Sequence, residues 1–439
     1  MGLADSPGDN VGMAESSPTS PTVDLEGFNP FSPQVQQCPH AYYRAMQEQG
    51  DALFPVAGTN MYMVTRHDLV VPILRDTSTF SNNFGSPGEA PRPELVERVK
   101  EVYAKGYARV PTMLTIDPPQ HTRFRGTVAP YFTPRRMGEL REPVVAIVNR
   151  LIDRWIDSGR IEFVKQFAVP LPIEAIAHIL NVPADRMDDF KRWSDCSIAN
   201  IGNQLTDDQF IAAQEGVVEF QHYFAPELER RRHEPMDDLM TDLVRAEIDT
   251  DDGGRRHLDM PEMLSIVQQL LVAGNETTTK ALTEGVMLLA QHPEQWQRLK
   301  ADPAGRAPLV VEEVLRLSTP TQGMFRLVTA DTEIEGCPVS AGSRLVVAYT
   351  AANRDPAVWG PDPDAFDPDR PNLKEHLAFG KGIHFCIGAP LSRLEMQVAF
   401  EMLARRLDTI SLDDSNTFEY LPSFMLRGLK RLDLSFTAR

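Results

Sequence analysis

The sequence predicts a mainly α-helical protein with a small β region. Four segments carry apolar residues at three- and four-residue spacing, which is typical of amphipathic helices: 142–157, 211–232, 308–317 and 389–407. Short β-like runs cluster in 52–65, 328–349 and 429–436, where glycine- and proline-containing turns separate them.

A fifth helix, over residues 260–291, is predicted to be the longest. Asp259 is a suitable N-cap, Pro261 lies in the first turn and Glu262 follows three residues after the cap. His292 and Pro293 end the pattern. At 1.5 Å per residue this helix would span about 45 Å and cross a whole domain.

The chain has 439 residues and no internal linker, so we expect one domain over 25–439. Residues 1–24 are rich in Ser, Pro, Gly and acidic residues, which predicts a disordered N-terminal segment without signal-peptide features. A net charge of −18 argues against nucleic-acid binding. No apolar run approaches the roughly 18–20 residues of a membrane helix, so we expect a cytoplasmic protein with no membrane anchor.

One cysteine has unusual surroundings. The four cysteines lie far apart, with no zinc-type spacing, and three of them are expected to be structural thiols. Cys386 instead lies in a glycine-rich stretch, 379–388, that leads into the helix predicted from residue 389. A buried structural thiol is the usual interpretation of a lone cysteine. Backbone N–H groups and the positive end of a helix dipole would favour a thiolate here, which suits one axial ligand of a haem iron.

The stretch Phe379-Gly380-Lys381-Gly382-Ile383-His384-Phe385-Cys386-Ile387-Gly388 resembles the haem-binding signature of the cytochrome P450 family, Phe-x-x-Gly-x-x-x-Cys-x-Gly. The resemblance implies the P450 fold with its long central helix over the haem. It also implies haem b, with Cys386 as the iron ligand and Phe379 beside it, and a haem-thiolate monooxygenase activity.

The long helix contains Ala273-Gly274-Asn275-Glu276-Thr277 at its middle. Taken alone, this is a buried helix whose threonines bond back to the preceding turn. It also matches the family's Ala/Gly-Gly-x-Asp/Glu-Thr motif. The resemblance implies that Ala273 and Gly274 lie against the haem, that Thr277 and Glu276 deliver protons for O–O cleavage, and that Asn275 bonds to a kinked backbone.

Glu313 and Arg316 form a pair three residues apart, which is common on exposed helices. They resemble the family's Glu-x-x-Arg element, which implies that Arg370, in the context Phe366-Asp367-Pro368-Asp369-Arg370, joins them to support the cysteine loop. His121 and Arg125 resemble the family's His-x-x-x-Arg element, although a solvated helix start is the simpler interpretation. With Arg326 and His384, they are expected to bind the haem propionates.

The sequence identifies the substrate less closely. Gln269, Asn275, Met324 and Met425 are candidate pocket residues, although core packing is the simpler role of the two methionines. An apolar pocket with few polar contacts suits a small lipophilic substrate: a terpenoid, steroid, fatty acid or polyketide. O2 would be the co-substrate. The chain ends soon after the haem domain, so electrons are expected from a separate ferredoxin and ferredoxin reductase, which would dock near a basic patch of Lys381, Arg123, Arg135 and Arg393.

Two alternatives differ from an oxygen-dependent monooxygenase. A peroxygenase would use hydrogen peroxide directly, and such enzymes tend to lose the acid–alcohol pair that is intact here. A haem-thiolate binding or sensing protein would need no proton relay and would usually carry an output domain. Replacing Thr277 with alanine would distinguish these hypotheses from an oxygen-dependent monooxygenase.

Overall fold

The computed structural model describes residues 23, 25–84, 93–199 and 205–439. The predicted disordered segment 1–24 therefore lies, except for Val23, outside the described residues.

In chain order the helices are α1 Pro33–Gln37, α2 His40–Gln49, α3 His67–Arg75, α4 Pro93–Tyr103, α5 Gln120–Val128, α6 Pro134–Asp153, α7 Pro170–Ile179, α8 Met187–Ile198, α9 Asp207–His233, α10 Leu239–Arg245, α11 Met260–Gln291, α12 Pro293–Ala301, α13 Pro303–Ser318, α14 Tyr349–Ala352, α15 Pro356–Trp359 and α16 Ala389–Arg406.

The strands are short and are distributed along the described part of the chain. They are β1 Phe54–Pro55, β2 Met61–Val64, β3 Phe80–Ser81, β4 Arg160–Glu162, β5 Glu247–Asp249, β6 Arg255–His257, β7 Met324–Val328, β8 Thr332–Ile334, β9 Cys337–Val339, β10 Arg344–Val347, β11 Leu407–Leu412 and β12 Asp433–Ala438. This architecture confirms the prediction of a mainly α protein with a small β region.

Helix α11 is the centre of the helical body. It packs against α7, α8, α13 and α16, and apolar side chains surround most of its length. Its N-terminus has the predicted capping box: Asp259 accepts from the Glu262 N–H, and the Glu262 carboxylate accepts from the Asp259 N–H. The helix ends where the His292 N–H donates to Leu288 O, directly before Pro293. Both predicted ends of α11 are confirmed.

A five-stranded sheet pairs strands from residues 54–81 with strands from residues 324–347. Its order is β1-β2-β10-β7-β3. Strand β2 runs parallel to β10, with Met61 opposite Arg344, whereas β7 is antiparallel to β10, with Arg326 opposite Leu345. Apolar side chains of this sheet pack against α3 and form a second, smaller core. A three-stranded sheet, β11-β12-β4, and the two hairpins β5-β6 and β8-β9 complete the β structure.

The predicted helices are present with shifted ends. The segment predicted over 142–157 begins earlier, at Pro134, because Thr133 caps the helix and Pro134 suits its first position. Helix α9 likewise begins before residue 211, at a capping box formed by Thr206 and Gln209. Among the described residues, no helix is long and apolar enough to cross a membrane.

Candidate active site

The Cys386 loop turns tightly before α16. Gly380 and Gly382 have φ angles of +68° and +74°, which side-chain-bearing residues rarely adopt. A Cβ at Gly382 would also lie 2.5 Å from the carbonyl oxygen of Leu74. The turn closes where the Cys386 N–H donates to Phe379 O at 2.9 Å. Gly388, in contrast, has an ordinary helical φ of −80°, so its backbone conformation does not require glycine.

Cys386 is exposed as a residue, yet protein closely surrounds its thiol group. This desolvation raises the pKa of the thiol, while the N–H groups of Gly388 and Ala389 and the guanidinium groups of Arg125 and Arg393 act in the opposite direction. A metal ion deprotonates a thiol that binds it. The N–H groups and cations would then stabilise the thiolate, so the loop fits the sulfur ligand of a haem iron.

One face of α11 lies open in the middle of an otherwise buried helix. Ala273 is exposed there, and Gln269 and Thr277, one turn before and after it, are half-buried. A Cβ at Gly274 would meet nothing within 4 Å. Thr278 Oγ1 on α11 donates to Ser392 Oγ on α16 at 3.2 Å, which ties this region to the helix that follows Cys386. Small residues on an open helix face fit the close approach of a flat macrocycle.

The Thr277 hydroxyl donates to Ala273 O at 2.9 Å. This bond alone does not indicate function, because Thr283 makes the same bond to Thr279 O at 2.9 Å in the buried part of the helix. The difference lies in exposure: the Thr277 side chain borders the open face. The adjacent Glu276 carboxylate binds the ammonium group of Lys280, one turn further along α11.

A cluster of buried cationic and imidazole groups has unmet hydrogen-bonding capacity. The ring centroids of His121 and His384 lie 4.2 Å apart. Both ring nitrogens of His121, Nε2 of His384 and Nε of Arg326 are buried without a hydrogen-bond partner among the described residues. Desolvation, followed by the nearby His121 and Arg326, lowers the pKa of His384 to about 3. Unpaired buried polar groups are costly, so this cluster fits anionic carboxylates such as haem propionates.

Arg125 lies one turn after His121 on α5, at the edge of this cluster. Its Nη2 atom donates to the carbonyl oxygen of Phe385 at 2.7 Å, which places the guanidinium beside the cysteine loop. Phe379 lies at the other side of that loop, and the guanidinium of Arg393 is 4.6 Å from the centroid of its ring.

Glu313, Arg316 and Arg370 meet in the protein interior. The two Arg316–Glu313 bonds are 2.6 and 2.7 Å long, and both side chains are fully buried. Arg370 Nε donates to Glu313 Oε1 at 3.3 Å. Arg316 also donates to Asn353 O at 2.9 Å, and the Asn353 side chain accepts from the Leu377 N–H at 2.6 Å. The ion pair is thus connected by hydrogen bonds to the segment that begins the cysteine loop.

A second anchor of this loop was not predicted. Glu312 binds Arg393 on α16 at 2.6 and 2.8 Å and His376, before the loop, at 3.0 Å. Burial alone would raise its pKa, but the hydrogen bonds from Arg393 and His376 lower the pKa of Glu312 to about 2. This contact could not be predicted from the residues around Glu312, because both of its partners lie far along the chain.

The candidate pocket residues differ in their surroundings. Gln269 Oε1 accepts from Thr112 Oγ1 at 2.9 Å beside the open face of α11. Asn275 is buried, and its Nδ2 donates to Ser194 Oγ on α8 at 2.9 Å; the expected bond to a kinked backbone is wrong, since α11 is continuous. Met324 and Met425 are half-buried and pack against core clusters around the five-stranded sheet.

Glu395 on α16 was also missed. It is buried, and desolvation raises its pKa to about 8, while a hydrogen bond from Thr278 acts in the opposite direction. The carboxyl group of Glu395 on α16 therefore contacts Thr278, the residue that follows Thr277 on α11. Its only sequence signal is a glutamate in an otherwise apolar helical pattern.

The predicted basic patch is largely neutralised. Arg123 pairs with Asp251 at 2.7 Å, Arg135 with Glu139 at 3.0 Å, and Arg393 with Glu312.

Comparisons with known proteins identify the family of this chain. The profile of the family described as Cytochrome P450 matches residues 173–303 and 307–430. The chain is 39% identical over 321 residues to 6-deoxyerythronolide B hydroxylase of Saccharopolyspora erythraea, covering 73% of this chain and 76% of the relative. It is 30% identical to steroid C26-monooxygenase of Mycobacterium tuberculosis, covering 95% and 98% of the two chains.

Solved structures show the same fold. A cytochrome P450 from Chondromyces apiculatus superposes with a TM-score of 0.80 at 34% identity, covering 95% of this chain and all of the other. A cytochrome P450 of Bacillus megaterium in complex with corticosterone superposes with a TM-score of 0.78 at 29% identity, covering 92% of this chain and 99% of the other.

The fold and the cysteine site define a haem-thiolate oxidoreductase. The chain belongs to the cytochrome P450 family. It is a monooxygenase, its cofactor is haem b, and it requires O2, a lipophilic substrate and a redox partner.

Replacing Cys386 with serine should abolish thiolate ligation. The dithionite-reduced, carbon monoxide-treated holoenzyme is expected to show a strongly red-shifted Soret band, and Cys386→Ser is expected to lose it. Cys337→Ser, at a half-buried cysteine on β9, is the matched control and should retain the band. A red-shifted band in Cys386→Ser would contradict the assignment.

Replacing Glu312 with glutamine should loosen the cysteine loop in a pH-dependent way. Because the pKa of Glu312 lies at about 2 instead of 4.5, its ionisation stabilises the fold above about pH 4.5, and this contribution is lost as the pH falls towards 2. At pH 7 we expect Glu312→Gln to cost about 2–3 kcal/mol, measured as a lower urea midpoint for loss of haem absorbance.

The difference between Glu312→Gln and the wild type should shrink below about pH 4.5. Glu142→Gln, an exposed position on α6, is the control and should leave the midpoint nearly unchanged. A constant difference across pH would show that the charge of Glu312 is unimportant.

Proposed function

We propose that this protein inserts one oxygen atom from O2 into a bulky lipophilic molecule, with Cys386 as the iron ligand and Thr277 and Glu276 as the proton-handling pair. The observation that carries this proposal is the open face of α11, where Ala273, Gly274 and Thr277 border the same space and Glu276 is adjacent. When bound, haem b supplies the iron at which O2 is activated and an oxygen atom is transferred.

Thr277 is proposed to orient water in this space. Its hydroxyl proton is directed to Ala273 O, so the lone pairs of Oγ1 remain available to accept a hydrogen bond. A water held there would receive protons that the Glu276 carboxylate, held by the ammonium of Lys280, first takes up from bulk water and then passes on. On the neighbouring face of α11, the carboxyl group of Glu395, which contacts Thr278, is proposed to hold a second proton.

The cluster of His121, His384 and Arg326 is proposed to bind the haem propionates, with Arg125 at its edge. The support is chemical: four buried donor or acceptor atoms lack partners, and the nearby positive charge favours anions. Glu313, Arg316 and Arg370 are proposed to support the cysteine loop through Asn353.

Gln269 is proposed to bind a substrate oxygen. Its Oε1 already accepts from Thr112, which leaves the two N–H groups of the amide to donate to a ligand beside the open face. A hydroxyl or carbonyl group on a mainly apolar substrate would satisfy them. Electrons are proposed to come from a separate ferredoxin and its reductase. Because all three arginines of that patch are paired with carboxylates, steering by the patch should be weak.

Three probes test the substrate class: corticosterone, hexadec-9Z-enoic acid and 6-deoxyerythronolide B. These compounds appear in the names of related proteins or of their solved complexes. We expect at least one to shift the spin state of the holoenzyme and, with a ferredoxin and reductase, to give a product that has gained one oxygen atom. Gln269→Leu should weaken binding of that probe by roughly tenfold, the effect of losing a hydrogen bond in a dry pocket. Absence of binding by all three would refute the proposed substrate class.

Thr277→Ala should separate electron consumption from product formation. Without the Thr277 hydroxyl, protons are misdirected, so we expect NADH-derived electrons to appear as hydrogen peroxide while product falls. Thr283→Ala is a closely matched control, because it removes the same type of hydroxyl–carbonyl bond from the buried part of α11. Unchanged product per NADH in Thr277→Ala would refute the role of Thr277.

A further inference from the structure

The pair formed by Glu276 and Lys280 differs from an ordinary helix-surface pair. Such i, i+4 pairs are usually exposed and contribute little. Here the Lys280 side chain is 5% exposed and that of Glu276 is 20% exposed. A buried ammonium group needs a partner of opposite charge, and the carboxylate of Glu276 supplies it. Each side chain therefore limits where the other can lie.

A distant part of the chain fixes Lys280 from its other side. Its alkyl chain packs against Gly428, in the segment after Met425. A Cβ at Gly428 would lie 2.2 Å from Cγ and 2.9 Å from Cδ of Lys280, so only glycine leaves room for this side chain. The Gly428 contact directs the Lys280 stem along α11, and the ammonium then meets the Glu276 carboxylate.

Further ionisable groups lie beyond Lys280, towards the C-terminal end of α11. Glu284 lies one turn beyond Lys280 and is buried. It interacts with Tyr420, and Arg427 and Arg354 contribute positive charge around it. The Arg427 guanidinium lies 3.4 Å from the centroid of the Tyr420 ring. Lys280 thus occupies the position between the carboxyl group next to Thr277 and a buried polar cluster at the C-terminal segment.

We propose that Lys280 is a positioning residue for the oxygenation reaction: it holds the carboxylate of Glu276, the residue next to Thr277, in the place from which that carboxylate passes protons towards the open face of α11. The proposal rests on the proposed role of Glu276. It predicts that proton transfer becomes slower when the Lys280 ammonium is removed or displaced, because Glu276 then loses the partner that fixes its position and charge.

Two variants perturb the pair in independent ways. Lys280→Met removes the charge and keeps an apolar stem against Gly428. Gly428→Ala keeps every ionisable group and pushes the Lys280 stem aside, and it carries the test if Lys280→Met fails to retain haem. Gly138→Ala, at an exposed α6 position where a Cβ meets nothing within 4 Å, is the control.

The first readout needs no substrate. Infrared absorption of carboxylate groups is measured in the holoenzyme, and the Glu276 bands are assigned by their loss when Glu276→Gln is added. In the wild type the Glu276 carboxylate accepts a hydrogen bond from the Lys280 ammonium, which sets its stretching frequencies. These bands should therefore shift in Lys280→Met and Gly428→Ala relative to the wild type. Unchanged bands in both variants would overturn the proposal.

The second readout is the turnover rate of whichever of the three probe compounds binds to the wild type. We expect about a tenfold lower rate and a larger solvent deuterium isotope effect in both variants, with substrate affinity retained. In the double variant, Gly428→Ala should add no further loss, because Lys280 is its only proposed target. A lower rate with the wild-type isotope effect would indicate a merely structural role and overturn the proposal. Failure of the proposed function itself would be seen separately, as absence of oxygenated product in the wild type.

Discussion

The arrangement of this site depends on the buried ion pair between Glu313 and Arg316. An ion pair with no exposure is weak evidence of stability, since desolvation opposes the attraction between the charges. The ion pair instead orients the Arg316 guanidinium. In this orientation, Arg316 also donates to the carbonyl groups of Asn353, Pro363 and Ala365. One rigid guanidinium thereby fixes an irregular segment that could not hold its own shape, and the cysteine loop follows that segment.

The two sides of the site are built by different means. On one side a loop is held by side-chain hydrogen bonds, through Asn353 and through Glu312, and its turn requires glycine at 380 and 382. On the other side a continuous helix supplies a face that is open because its residues are small. The loop fixes one atom, the sulfur of Cys386, whereas the helix leaves space and places Thr277 at its edge. A ligand bound between them would meet one fixed partner and one adaptable surface.

The parts of the fold and of the site that depend on residues close together in the sequence could be predicted. The ends of α11 follow from Asp259, Glu262 and Pro293, all within a turn of the boundary, and the cysteine stretch is contiguous in sequence. Contacts that depend on distant residues were missed or misassigned. The Glu276–Lys280 spacing is visible in the sequence, but its burial depends on Gly428; Asn275 bonds to Ser194 instead of the backbone; Glu312 meets Arg393 and His376. Spacing along a helix predicts which residues share a face but not what covers that face.

The parallel pairing of β2 with β10 has a consequence for how the protein is made. Met61 lies opposite Arg344, so β2 lacks this neighbour until most of the chain has left the ribosome. Cys386 and α16 follow later still. Such non-local pairing is slow to form and leaves a strand edge exposed meanwhile. The cofactor pocket should therefore be completed only at the end of synthesis, and haem capture should be a late event that full-length chains alone can accomplish.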